Sequence, residues 1–332
     1  MAEVETQYED SNRAFLQAFL ARGTLTFEEA KPLLAAIFSA HEGRETAPAA
    51  VTEEDFNSFV AAANDAISPF DLAIRSGRSQ HDRTRIFALV NTTSDPITQL
   101  ATTHSADEIS YLKRLLDAMF ETYNTQRQEV LAIQSMPAVR LHKAPADSSR
   151  ETQNGGATQG SGGQGLSMIA AETMLQELVQ EGWFEKSKAG FYSLSPRALI
   201  ELKFYLVSTY NAVDEEDELE DDGGGGGERQ ERVKLCEACK EIVTVGQRCP
   251  NPECGCRLHN ICTQGFFTVR RSEQCPRCNA EWTGRNYVGE KAITTTEAWQ
   301  KGRRRSGHDN RPRAGRPSQA AVDDADGTVE ED

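Results

Sequence analysis

Apolar residues recur at helical spacing along the first part of the chain. Between Ser11 and Arg22, Phe15, Leu16, Phe19 and Leu20 fall on one helical stripe. Thr26-x-x-Glu29 has the form of a capping box, in which two side chains satisfy free N–H groups at a helix start. A second helix is predicted there in spite of Pro32 inside it. Thr52 is expected to cap a third, with Phe56, Phe59, Val60, Ala63 and Ile67 at helical spacing. Leu72 to Ile74 and Ile86 to Asn91 read as two short strands about a polar, glycine-containing turn.

The order then recurs. Ser105-x-x-Glu108 predicts a capped helix carrying Ile109, Leu112, Leu115, Leu116, Met119 and Phe120. Glu129 to Gln134 is expected to form a short second helix. Met168 to Gln180 supplies a third, with Met174, Leu175, Leu178 and Val179 on one face. Trp183-Phe184 and Phe191-Tyr192 flank the turn Lys186 to Gly190, a predicted hairpin. Ser195-Pro196 joins an N-cap to a proline at the first helical position and opens a closing helix to about Tyr210. Three helices and a hairpin make the order of a winged helix, and the chain carries it twice.

Polar stretches separate these blocks. Lys143 to Gly165 is rich in Gly, Ser and Gln, a flexible insertion. Asp214 to Asp222 holds eight carboxylates in nine positions, and five glycines follow, so this linker repels itself into extension. From about Gly289 the tail is polar, with a basic stretch (Lys301, Arg303, Arg304, Arg305, Arg311, Arg313, Arg316) and then an acidic end. The predicted organisation is winged helix one at 8–92 and winged helix two at 105–212, interrupted by the insertion at 143–165. A linker at 213–230, a zinc finger at 233–284 and a disordered tail at 289–332 complete it. The fold class is α+β and multidomain.

Charge narrows what the winged helices do. The 332-residue chain is 38% hydrophobic and 26% charged, with a net charge of −15, a balance that opposes nonspecific grip on DNA or anionic membrane. No apolar run approaches the roughly 20 residues of a membrane span. The acidic start MAEVETQYED is unlike a signal peptide, so an intracellular location and no membrane partner are expected. A DNA-reading winged helix carries Arg, Lys, Asn or Gln on its third helix. No Lys or Arg occurs from Glu45 to Ile74 or from Glu151 to Glu185, the surrounds of both candidate recognition helices. Asn57, Asn64, Gln176 and Gln180 remain, without phosphate neutralisation beside them. Both winged helices are expected to bind protein.

All eight cysteines lie between Cys236 and Cys278, with His259 among them. In a reducing compartment such clustering marks metal ligands rather than disulfides. The pairs are Cys236-x-x-Cys239, Cys249-x4-Cys254, His259-x-x-Cys262 and Cys275-x-x-Cys278. Two thiolates held by one tight turn can face the same tetrahedral zinc. RING-type and PHD fingers both use such an order and interleave it, with pairs one and three on one zinc and pairs two and four on the other. The first metal then takes Cys236, Cys239, His259 and Cys262, and the second takes Cys249, Cys254, Cys275 and Cys278. Cys254 and Cys256 are alternatives; Cys254 is preferred, because Cys249-Pro-Asn-Pro-Glu-Cys254 can form a knuckle and the four residues to His259 match both families.

A PHD finger places a Trp two residues before its last ligand pair, where this chain has Glu273. A RING has an apolar residue inside the first pair and a Pro after the seventh ligand, a platform for a ubiquitin-conjugating enzyme. Pro276 is present, Ala238 is a small version of the first contact, and Asn279 stands where many active RINGs carry a basic residue. The finger is therefore read as RING-like with a reduced platform.

From about Asn12 to Trp282 the chain resembles the RING-containing first non-SMC element of the SMC five-six complex, a DNA-repair and chromosome-maintenance assembly. The matching segments are Arg13 to Gln17, Phe87 to Asn91, Ala170 to Trp183 with its hairpin, Gly246 to Cys249, and Cys254 to Cys262. The resemblance implies a nuclear, chromosome-associated location and association with a MAGE-type winged-helix subunit and a kleisin subunit. It also implies ubiquitin ligase activity stimulated by the MAGE partner. DNA contact is expected to be at most indirect or through the basic tail. The four-residue gap before Cys254 and the extra Cys256 depart from some relatives.

On this reading no cysteine carries ubiquitin, because structural zinc sites are closed. The finger would hold a charged conjugating enzyme beside a substrate lysine and lower the barrier by orientation. Ala238, Ile242 and Pro276 are the docking candidates. The alternative is a non-catalytic scaffold.

Overall fold

The computed structural model describes residues 8–92, 103–143, 165–211 and 231–308. Most of the predicted insertion, the acidic linker and the end of the tail lie outside the described residues. Residues up to Ile293 form one compact unit, and those from Thr294 form a second.

The first block is a winged helix built by its caps. Helix α1 (Asp10–Arg22) buries Phe15 and Phe19, the inner half of the predicted stripe, while Leu20 faces outward. Thr26 and Glu29 close a complete capping box at the start of α2 (Phe27–Glu42). Thr52 and Asp55 do the same for α3 (Glu53–Ile67). Strand β1 (Thr24–Thr26), which the sequence pattern does not announce, joins the hairpin β2 (Leu72–Arg78) and β3 (Arg85–Asn91) in the order β1-β3-β2. The hairpin is longer than predicted, and its polar residues from Arg75 to Arg78 pair in register with Arg85 to Ala88. Phe15, Phe56 and Phe87 meet edge to face, with ring centres 6.0 and 4.8 Å apart, and seal the core.

The second block repeats the topology. Helix α4 (Ala106–Asp117) begins at the Ser105–Glu108 box and runs into one π turn, Ala118–Thr122. The predicted helix at Glu129 to Gln134 is not formed. Val130, Leu131, Ala132 and Ile133 are all buried, so this run faces protein on every side and ends in strand β4 (Ile133–Gln134). A buried apolar run carries no periodicity to separate helix from strand. The second helix is α5 (Ser135–Arg140), followed by α6 (Met168–Gln180), β5 (Phe184–Lys186) and β6 (Phe191–Leu194). Sheet order β4-β6-β5 matches the first block. The closing helix is two helices, α7 (Pro196–Glu201) and α8 (Lys203–Tyr210), joined at the buried Leu202. Helix α7 packs on the hairpin of the first block. Gly77 permits that approach, since a Cβ there would lie 2.7 Å from the Ile200 side chain.

The finger contains β7 (Gly246–Arg248), β8 (Arg257–His259), α9 (Asn260–Arg270) and β9 (Tyr287–Val288), in sheet order β8-β7-β9. Its last strand lies beyond the predicted limit at 284. Part of the predicted disordered tail is also helical: α10 (Lys291–Thr294) and α11 (Glu297–His308). Thr296 starts α11 by accepting from the Trp299 N–H at 3.4 Å, a capping signal hidden in the polar composition.

Candidate metal centres

The eight predicted ligands converge in two groups of four. Cys236, Cys239, His259 and Cys262 form one, and Cys249, Cys254, Cys275 and Cys278 the other, with all ligand atoms of a group within 4.8 Å of one another. Each group joins ligand pairs distant in sequence, so the finger is cross-braced. Sulfur atoms on a tetrahedral zinc, with Zn–S bonds of about 2.3 Å, lie about 3.8 Å apart, and a ring nitrogen lies slightly nearer. Cys249 and Cys278 are separated by 3.4 Å and Cys254 and Cys275 by 3.6 Å. His259 Nδ1 lies 3.2 Å from Cys239 Sγ and 3.8 Å from Cys262 Sγ. The donor set and its spacing suit zinc.

The surroundings fix the ligands. His259 Nε2 donates to the Ile242 carbonyl at 3.0 Å, so Nδ1 is left as the lone-pair atom turned toward the three thiols. Burial pushes the Cys275 thiol up, but backbone N–H groups of Cys278 and Arg277, with hydrogen bonds from the Cys254 and Cys249 thiols, outweigh it and bring it below its ordinary range. Cys256 stands in neither group. It is fully buried, and burial pushes its thiol well above the ordinary range. Its carbonyl accepts from Cys249 N at 3.2 Å and from Arg257 Nη1 at 2.7 Å.

Of the docking candidates, Ala238 is exposed and Pro276 is half-buried. An ion pair between Glu237 and Arg277, their sequence neighbours, clasps the two ligand loops together. Ile242 is withdrawn from the surface at 2% exposure, and its carbonyl accepts from both His259 and Gln80. That candidate is corrected: its side chain fills the core between finger and winged helix two.

Two seams that the sequence does not foretell tie the finger to the winged helices. Glu129, 2% exposed, accepts both forks of Arg257, from Nε at 2.6 Å and Nη2 at 2.5 Å. Lys234 Nζ reaches the same carboxylate at 2.5 Å. Burial pushes the Glu129 carboxyl up, but hydrogen bonds and charge from Arg257 and Lys234 more than offset it and hold it below the usual carboxylate range. Arg257 Nη1 also donates to the Cys254 carbonyl at 2.6 Å, so the network ends on a ligand loop. The second seam is Gln80, in the hairpin turn of winged helix one. Its Nε2 donates to the Ile242 carbonyl at 2.9 Å, and its Oε1 accepts from Thr244 N and Val245 N at 3.1 and 2.8 Å.

Two winged helices followed by a cross-braced RING-like finger define a small class of protein. Residues 12–202 match the family described as Nse1 non-SMC component of SMC5-6 complex, and residues 236–278 match the RING-like domain. This chain belongs to the Nse1 family. It is similar to the human non-structural maintenance of chromosomes element 1 homolog, 22% identical over 82% of this chain and 84% of that protein. The fission yeast Schizosaccharomyces pombe protein, non-structural maintenance of chromosomes element 1, is 24% identical over 68% of this chain and 76% of its own length. Among solved structures, a chain of an Nse1-Nse3-Nse4 complex shares the fold, with a TM-score of 0.60 and 22% identity over 83% of this chain and 97% of that one.

Proposed function

We propose that this chain is a RING-type ubiquitin-protein ligase subunit of the SMC5-6 complex, acting in the nucleus in DNA repair and chromosome maintenance. Cys236, Cys239, His259 and Cys262 hold one zinc ion; Cys249, Cys254, Cys275 and Cys278 hold the other. Each zinc supplies a fixed tetrahedral joint and no chemistry on the substrate. The finger docks a charged conjugating enzyme on Ala238 and Pro276 and orients its thioester toward a lysine. The observation that carries this reading is the Glu237–Arg277 clasp, which draws both docking loops to one end of the finger.

A MAGE-type winged-helix subunit and a kleisin subunit are the proposed partners, in keeping with the Nse1-Nse3-Nse4 complex whose chain shares the fold. Winged helix two leaves Met136, Met168 and Ile169 exposed on α5 and α6, apolar surface of the kind a protein partner covers. The test is discharge of ubiquitin from a charged conjugating enzyme with the MAGE partner present. Wild type should accelerate discharge and Pro276→Ala should not; equal rates would sink the enzymatic reading. One observation favours a non-catalytic scaffold instead: Ala238 offers only a methyl group, and Ile242 is buried.

A further inference from the structure

We propose that the β2–β3 hairpin of winged helix one binds the phosphodiester backbone of nucleic acid. The third helices of this chain lack basic residues, but the hairpin does not. Arg75, Arg78, Arg83 and Arg85 fall within eleven residues, with Asp82 the only carboxylate between them. All four arginines are exposed, and among the described residues none has a carboxylate within 4 Å. Asp82 is itself exposed, and it accepts hydrogen bonds from Ser79 and from Thr84 within its own loop, which hold its carboxyl below the usual range. Glu241, across the groove, is occupied by Lys203 at 2.8 Å.

Two features of this arrangement work against folding. Arg78 and Arg85 are direct cross-strand partners, a like-charge pairing that destabilises a hairpin. Arg83 sits at φ 67°, in the left-handed region where Gly or Asn would sit with less strain. Such costs at exposed positions point to a binding role. The hairpin is also held rigid, since buried Gln80 at its turn is bonded to three finger residues. Arg78, Arg83 and Arg85 therefore stand on one wall of a groove of about 650 Å³, whose other wall carries Glu241, the docking residue Ala238 and the metal-group residues Cys239, His259 and Cys262. Guanidinium forks match phosphate oxygens in pairs. Outside that groove, on the other face of β2, Arg75 lies 5.8 Å from the ring of Phe204, which is 71% exposed. An exposed aromatic beside Arg75 offers stacking to a base, which an acidic peptide would leave unused.

Fluorescence anisotropy of the full zinc-loaded chain, against a labelled DNA duplex and a labelled single strand over a salt series, tests the assignment. Binding should be steeply salt-dependent. The combined variant Arg78→Ala, Arg83→Ala, Arg85→Ala should flatten the log–log slope on duplex by roughly 0.9 for each phosphate no longer neutralised. The tighter of the two probes identifies the strand form bound. Arg83→Gly keeps the turn and relieves its strain, so its binding should fall while its melting temperature holds or rises, which separates weaker binding from damaged folding. Three results would overturn the proposal: no DNA binding by wild type, unchanged affinity and slope in the combined variant, or displacement of duplex by polyglutamate as effective as by unlabelled duplex. The last would assign the groove to an acidic protein.

Discussion

The finger meets each winged helix through a different kind of bond. Winged helix two shares an apolar core with it and sends in a buried charge, Glu129, to meet Arg257 and Lys234. Winged helix one keeps a separate core and sends in a neutral amide, Gln80. Both seams end one step from a metal ligand, at the carbonyls of Cys254 and Ile242. The contrast lies in failure. A neutral amide removed leaves a few unpaired groups, whereas a buried carboxylate removed leaves uncompensated cations, and the second penalty is larger.

Metal removal should have the greatest effect, because both seams rest on loops the metals shape. Each structural zinc is worth about 10 kcal/mol or more of folding energy, so chelation should abolish hydrogen-exchange protection from 233 to 288. The core of Phe15, Phe56 and Phe87 should stay protected. Native mass spectrometry should find two zinc ions in the untreated chain; one or none would undo the cross-braced assignment. Glu129→Gln comes next, at about 3–5 kcal/mol in urea unfolding, since Arg257 and Lys234 would stay buried without their carboxylate. Its pH dependence has a definite sign. The folded pKa of Glu129 lies below its unfolded value, so its contribution is complete above roughly pH 4.3 and is lost as pH falls through the folded value. The gap between wild type and Glu129→Gln should therefore be flat at neutral pH and close in acid.

Gln80→Ala should cost less, about 1–3 kcal/mol, by leaving Thr244 N and Val245 N unpaired. If it costs as much as Glu129→Gln, the distinction between ionic and neutral seams fails. Cys256→Ala should be mildest, about 1 kcal/mol for a small buried side chain, with both zinc ions retained. Cys254→Ala should instead lose one zinc ion, and the reverse outcome would exchange the roles of the two cysteines.

What was legible in the sequence was local. Capping boxes at Thr26, Thr52 and Ser105 close over three residues, so they mark helix starts wherever the helix later packs. The ligand pairs are equally local, and their interleaving followed from the alternating order of a RING or PHD finger. Strands β1 and β4 are not legible because three and two residues carry no period of their own and exist only through β3 and β6. Glu129 reads as part of a helix because its partner Arg257 is 128 residues away and nothing near it marks a buried charge. Gln80 looked like an ordinary turn residue for the same reason. The arginines of the hairpin lie outside the third helices, where a DNA-reading winged helix carries its charge, and their row begins at Arg75, one residue past the basic-free run ending at Ile74.

The buried Glu129–Arg257 pair also constrains inheritance. Either residue changed alone strands the other, so neutral drift at one position is closed unless the second has already moved. In an alignment of the family these two positions should therefore covary across the acidic linker, and a finger transplanted from a relative should work only when its matching residue before β4 travels with it. Modules that look exchangeable in their order along the chain are bound to one history by a single carboxylate.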